Sequence, residues 1–163
     1  MHRLGGGIGT AVPVSVGDLV AGDLLALAET SADGIEWLVL ETTDGPATSR
    51  DSAVRTVRVV AADSAPFVGV DDLDLDEVLD GALGALVVRC GVTLSLDAAI
   101  FDAAVRSARL DADTLQRVVT RVHAVAAAPT HAAERDEAEL EHLEAVVAAR
   151  DRLDHSARAA VGA

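Results

Sequence analysis

The spacing of apolar residues changes near residue 71. Before it they come in short runs broken by Gly-Asp and Asp-Gly pairs. After it they recur every three or four positions. The first pattern predicts strands and turns, the second helices. Val12–Val16 and Leu24–Glu29 are short apolar runs separated by Gly17-Asp18 and Gly22-Asp23. Ile35–Thr42 follows the Asp33-Gly34 turn signal, with Ile35, Trp37 and Val39 on one face and Leu38 and Leu40 making the other apolar as well. A hairpin of Leu24–Glu29 with Ile35–Thr42 follows. Thr43–Ser52, punctuated by Gly45-Pro46, reads as a polar loop, Val54–Ala61 as a strand and Phe67–Val70 as a last short one.

In the second part, Leu75, Val78, Leu79, Ala82, Leu83, Leu86, Val87 and Cys90 keep the spacing of one helical face. Asp74 and Glu77 supply a capping box, and Gly91 a stop. Gly81 and Gly84 lie off that face, where they weaken the helix or admit a close backbone. Ser95 caps a second expected helix, with Ile100, Phe101, Ala104, Val105 and Ala108 on one side and Asp102, Arg106 and Arg109 on the other. Asp111 or Asp113 opens a third, whose stripe is Leu115, Val118, Val119 and Val122 and whose stop is Pro129. From Thr130 to about Ala160 nothing breaks the helix. Its first half is acidic, while Arg150, Arg152 and Arg158 lie in the second, an order that complements the helix dipole. Such a rod, about 45 Å long, is expected to kink, project or lie along a partner.

The expected fold is therefore α+β: a small N-terminal curled β-sheet or partial barrel, then an α-helical half with a long C-terminal helix. The division is 10–70 for the β unit and 72–163 for the helical region, the two being compatible with one continuous domain.

Charge and composition narrow the function. The chain of 163 residues carries a formal charge of −14, and all thirteen of its basic residues are Arg. GC-rich codon usage or a salt-adapted surface accounts for that habit. Either way the field repels phosphate backbones and anionic membranes, so neither nucleic acid nor membrane is an expected partner. Without Lys there is no GxxxxGK[ST] phosphate loop, Schiff base or lysine-borne cofactor. Cys90 is the one cysteine, which excludes an intrachain disulfide and fits a cytoplasmic protein. The opening residues lack the apolar core of a signal peptide, and Gly5–Gly9 reads as an N-terminal arm.

Four local patterns touch on chemistry. Val16–Glu29, with Gly17-Asp18 and Gly22-Asp23 ahead of Leu24, resembles half of a biotinyl/lipoyl carrier domain, in which GD-x-V-x-x-GD-x-L precedes the modified lysine. The resemblance covers some fourteen residues, with the Gly-Asp pairs one residue closer than in that pattern. The attachment lysine is missing, so the resemblance implies a related sheet geometry and no carrier role. Asp71–Glu77 looks like the opening of a calcium loop, but Glu77 stands where glycine is needed and Leu83 where a bidentate Glu is. Glu139-x-x-His142 has di-iron spacing, but the earlier helices offer no second copy. Asp151 and His155 lie one turn apart, and His123 at the rim of an apolar stripe. No catalytic, metal or cofactor residue is assigned.

The expected function is a non-enzymatic acidic interaction or assembly module, a homo-oligomer or a subunit of a larger bacterial or viral complex. Its partner would be a second copy or a basic protein. The expected contact surface is Glu137, Leu140, Leu143, Glu144, Val147 and Leu153 on the terminal helix. The alternative is a small ligand-binding or catalytic domain with a pocket where sheet meets helices, using Asp63, Arg55, Arg58 and Trp37.

Overall fold

The computed structural model describes residues 12–44, 55–69, 71–75, 86–102, 104–128 and 137–162. The N-terminal arm, the Gly45-Pro46 loop, Val70, most of the helix expected from Leu75, Pro129 and residues 130–136 lie outside them. Within them seven strands form one open antiparallel sheet: β1 (Val12–Pro13), β2 (Asp23–Ala26), β3 (Glu36–Asp44), β4 (Arg55–Asp63), β5 (Asp72–Asp74), β6 (Val87–Asp97) and β7 (Val105–Arg109). Their order is β1-β7-β2-β3-β4-β6-β5. Three helices accompany them, the short α1 (Ala28–Ser31), α2 (Ala112–Ala127) and the long α3 (Glu137–Gly162).

The expected hairpin forms, with Leu24 opposite Leu38 and Leu25 opposite Trp37. Gly34, at φ 73°, closes the turn after α1 as the Asp-Gly signal predicts. The Trp37 indole donates to Thr30 Oγ1 (3.0 Å), whose hydroxyl donates to the Ile35 carbonyl (3.2 Å), so no polar atom of this buried pair is stranded. Gly22 has φ 101°, and a Cβ there would stand 3.0 Å from the Leu110 carbonyl oxygen. The Gly22-Asp23 pair thus joins β2 to the end of β7. The fully buried Asp23 carboxylate accepts from Val20 N (3.0 Å) and Arg109 Nε (2.7 Å).

Both faces of the sheet are covered. Trp37, Val39, Val57, Val59 and Ala61 point to one face, where α3 adds Val146, Ala149, Leu153 and Ala157. Leu38, Leu40, Val60 and Ala62 point to the other, where α2 adds Val118 and Val122. A sheet buried on both faces reads as continuous apolar sequence instead of clean alternation, which is what β3 shows.

The helical reading is corrected at 87–90, the described end of the first expected helix, and over the described residues of 95–109. Residues 87–97 are the longest strand, Ala98–Phe101 a 3₁₀ turn, and 105–109 are β7. Leu86, Val87 and Cys90 have helical spacing, but a short apolar run buried on both sides has no period of its own. Here β4 and β5 flank it and tertiary pairing decides. The register supplies the rest of the explanation. Val60 faces Thr93 while the next residue, Ala61, faces Arg89. The extra residues of β6 form a bulge that sends Cys90 into one core and Val92 into the other. Ser95 caps nothing; Asp97 does, accepting from Ala99 N at 2.8 Å. Phe67–Gly69 is irregular, and the short edge strand lies at Asp72–Asp74 instead. The third helix begins where expected, with Asp111 accepting from Thr114 N at 2.7 Å.

The terminal helix is also corrected in one respect. It is long, 26 residues or about 39 Å, but it does not project. Leu153 is fully buried, and Leu143 and Val147 pack partly against the same cluster. Arg152 pairs with Asp33 beside α1, holding the middle of the helix to its own subunit. No described helix is long and apolar enough to cross a membrane.

Candidate functional site

A buried group of ionisable side chains lies where β4 ends, beside β5, β6 and the first turns of α3. Arg89 enters from β6, opposite Ala61 on one side and Asp72 on the other. Its side chain is 2% exposed. The guanidinium grips Asp63 with both nitrogens of one edge, Nη2 to Oδ1 at 2.7 Å and Nε to Oδ2 at 3.0 Å. Nη1 donates to Asp72 Oδ2 at 2.7 Å and to the Phe67 carbonyl, while Nη2 reaches the Ala65 carbonyl at 3.4 Å. The two carboxylates also cap the strap between them: Asp63 accepts from Ala65 N (2.9 Å) and Asp72 from Gly69 N (2.8 Å). One planar fork therefore fixes the end of β4, the strap and β5 together, a geometry that Lys could not reproduce.

α3 closes over this group. His142 Nε2 lies 3.0 Å from Asp63 Oδ2, yet is not aligned for a hydrogen bond, so the contact is a close approach and not a formed bond. The Phe67 ring tilts against the imidazole, with centroids 5.9 Å apart. A Cβ at Gly69 would fall 2.5 Å from Glu139 Oε1, so the strap and the start of α3 lie close, and a larger residue there would make the Glu139 carboxylate swing aside. Glu139-x-x-His142 thus faces the strap, as a lid on an ion-pair cluster.

Electrostatically the cluster is satisfied. Burial alone would raise Asp63, but its bonds to Arg89 and that residue's charge outweigh burial and hold the carboxyl below the usual range. Arg89 is raised in turn: burial would lower it, and Asp63 and Asp72 overcome that. The Cys90 thiol is pushed up to about 12, first by burial and then by the Asp72 charge, so it is no thiolate nucleophile at neutral pH. Among the described residues no three His, Cys, Asp or Glu side chains are arranged to hold a metal.

A pH dependence follows. Because Asp63 is lowered on folding, its stabilisation is complete above its unfolded value of about 3.9 and is lost as pH falls through the folded value. Asp63→Asn should therefore be less stable than the wild type at pH 7. Its stability should also decline less between about pH 4 and pH 2, as read from urea unfolding at each pH.

The other residues singled out by sequence scatter. Trp37 is core. Arg55 bonds Asp44 (2.9 Å) and the carbonyls of Val16 (3.2 Å) and Leu19 (3.1 Å), bracing the first 3₁₀ turn. Arg58 sits on the sheet between Glu41 and Ser95 in register. Of the six terminal-helix positions, Glu137 and Glu144 are exposed, Leu140, Leu143 and Val147 half-buried, and Leu153 sealed. Asp151, His155 and His123 are exposed. Arg89 was missed. Its signal is a charge inside Leu-Val-Val-Arg-Cys, where an apolar setting demands a buried counter-ion.

A separate groove of about 360 Å³ opens between α2 and β5, lined by Leu73, Gln116, Arg117, Thr120, Arg121 and Ala124. Gln116 Nε2 donates to Thr120 Oγ1 (3.2 Å) along its wall. No protein-family model matches the chain, and neither the curated proteins nor the solved structures contain a match to it.

Proposed function

We propose that the protein is a non-enzymatic acidic interaction module whose partner surface is the outward face of the first half of α3. The observation that carries this reading is the division of labour along that helix. Val146, Ala149, Leu153 and Ala157 are spent on the protein's own core, while Glu137, Glu141 and Glu144 stand exposed beside the half-exposed Leu140. Three carboxylates on two turns form a focused negative patch in a chain already at −14. Such a patch steers and orients a basic protein and repels a second copy. A basic partner is therefore favoured over self-association. The Arg89 cluster serves this reading as a brace, keeping the start of α3 in place. The same reading keeps the chain in the cytoplasm, where a lone thiol such as Cys90 stays reduced.

The test is co-purification with the intact chain and with a Glu137→Gln, Glu141→Gln, Glu144→Gln variant. Capture of one identified basic protein, weakened at least about tenfold in the variant and by added salt, is the expected result. A partner held equally by both chains would refute this surface.

A further inference from the structure

We propose that His142 is an acid-engaged latch: with its imidazole protonated it holds the start of α3 to the Asp63–Arg89–Asp72 cluster, and with the ring neutral it lets go. The inference starts from the charges buried there. Asp63 and Asp72, each 4% exposed at the side chain, face the single guanidinium of Arg89. Arg89 forks onto Asp63 and donates to Asp72 through Nη1, so two carboxylates share one cation. A buried excess charge is costly, and a second cation brought up to it offsets that cost. Glu139, one turn before His142, brings a further carboxylate to the strap beside Gly69. Asp71 turns the other way, toward Gly91 on the α2 side.

His142 is placed to supply that cation. Its Nε2 is buried, lies 3.0 Å from Asp63 Oδ2 and has no hydrogen-bond partner as the ring stands. A neutral imidazole carries one proton, on either nitrogen, whereas the charged ring carries one on each. Protonation therefore guarantees a donor at Nε2 and adds the missing charge, and a small turn of the ring aligns the bond. The Phe67 ring, 5.9 Å away between centroids, favours a cation at that place as well. Arg89 repels it from the far side of Asp63, but the carboxylates outnumber that one charge. A histidine gains its charge as pH falls from about 8 to 5. Against burial, Arg89 holds the Asp63 carboxyl below the usual range, so Asp63 stays ionised throughout that interval. The latch is thus engaged on the acid side and released on the alkaline side. It lies on the inner face of α3 and is independent of what the exposed carboxylates of the outer face bind.

The test is amide hydrogen exchange of the full chain at about pH 5.5 and about pH 8, each rate corrected for the intrinsic pH dependence of exchange. The amides of Glu141–Ala145, on the turns that carry His142, should be at least about threefold more protected at the acid pH. His142→Gln keeps a hydrogen-bonding side chain but cannot become charged, and at a position 23% exposed it fits the same space. It should abolish the difference, while His123 and His155, both exposed, remain to titrate in the variant. Equal protection of the wild type at both pH values, or greater protection at the alkaline one, would overturn the latch, and neither result depends on how the variant folds. The same acid gain in His142→Gln would overturn it too, by assigning the response to another group.

Discussion

Arg89→Met should destabilise the protein by about 3–5 kcal/mol in urea unfolding at pH 7. The replacement keeps the volume of the side chain and removes only its charge and donors. It leaves Asp63 and Asp72, each 4% exposed at the side chain, without the group that neutralises them. It also strips the Phe67 and Ala65 carbonyls of a donor, releasing the strap from β6. The loss belongs to the stranded carboxylates and not to the pair as such. Adding Asp63→Asn and Asp72→Asn to Arg89→Met should therefore recover much of the stability. A loss under about 1 kcal/mol for Arg89→Met would mean the cluster is solvated and braces nothing.

Leu153→Ala should cost about 2–5 kcal/mol, because Leu153 is fully buried in the core shared by α3 and the sheet. The spread reflects how far Val57, Val59 and their neighbours can relax into the space. Glu144→Ala, nine residues earlier and exposed, should change stability by no more than about 0.5 kcal/mol. The contrast separates the two faces of one helix: the inner face carries the fold, the outer face is free for a partner. A helix reserved wholly for another chain would show the reverse, with Leu153→Ala silent in the isolated subunit.

How much of this was legible in sequence depended on whether a signal was local. The hairpin was, because Asp33-Gly34 encodes its turn. α2 was, because Asp111 caps a stripe whose polar face stays wet. β6 and β7 were not. Val87–Cys90 has strand partners on both sides and is buried on both faces, so its apolar spacing says nothing about period. The terminal helix showed its length but not its docking. Its buried face is Val146, Ala149, Leu153 and Ala157, half of it alanine. Alanine reads as neutral in sequence, yet it lets a helix lie close to a sheet. The candidate sites were least legible. Asp63 stands beside an expected strand, but its partner Arg89 lies 26 residues away across a register shift that no local rule supplies. The groove depends on α2 meeting β5, elements far apart in the chain.

α3 is built into its own subunit along one face, and amide hydrogen exchange at two protein concentrations tests this most directly. The amides from Val146 to Ala157 should exchange only through global unfolding, as slowly as those of Val57–Ala61, and equally at high and low concentration. Fast exchange along that stretch, or protection that disappears on dilution, would contradict it.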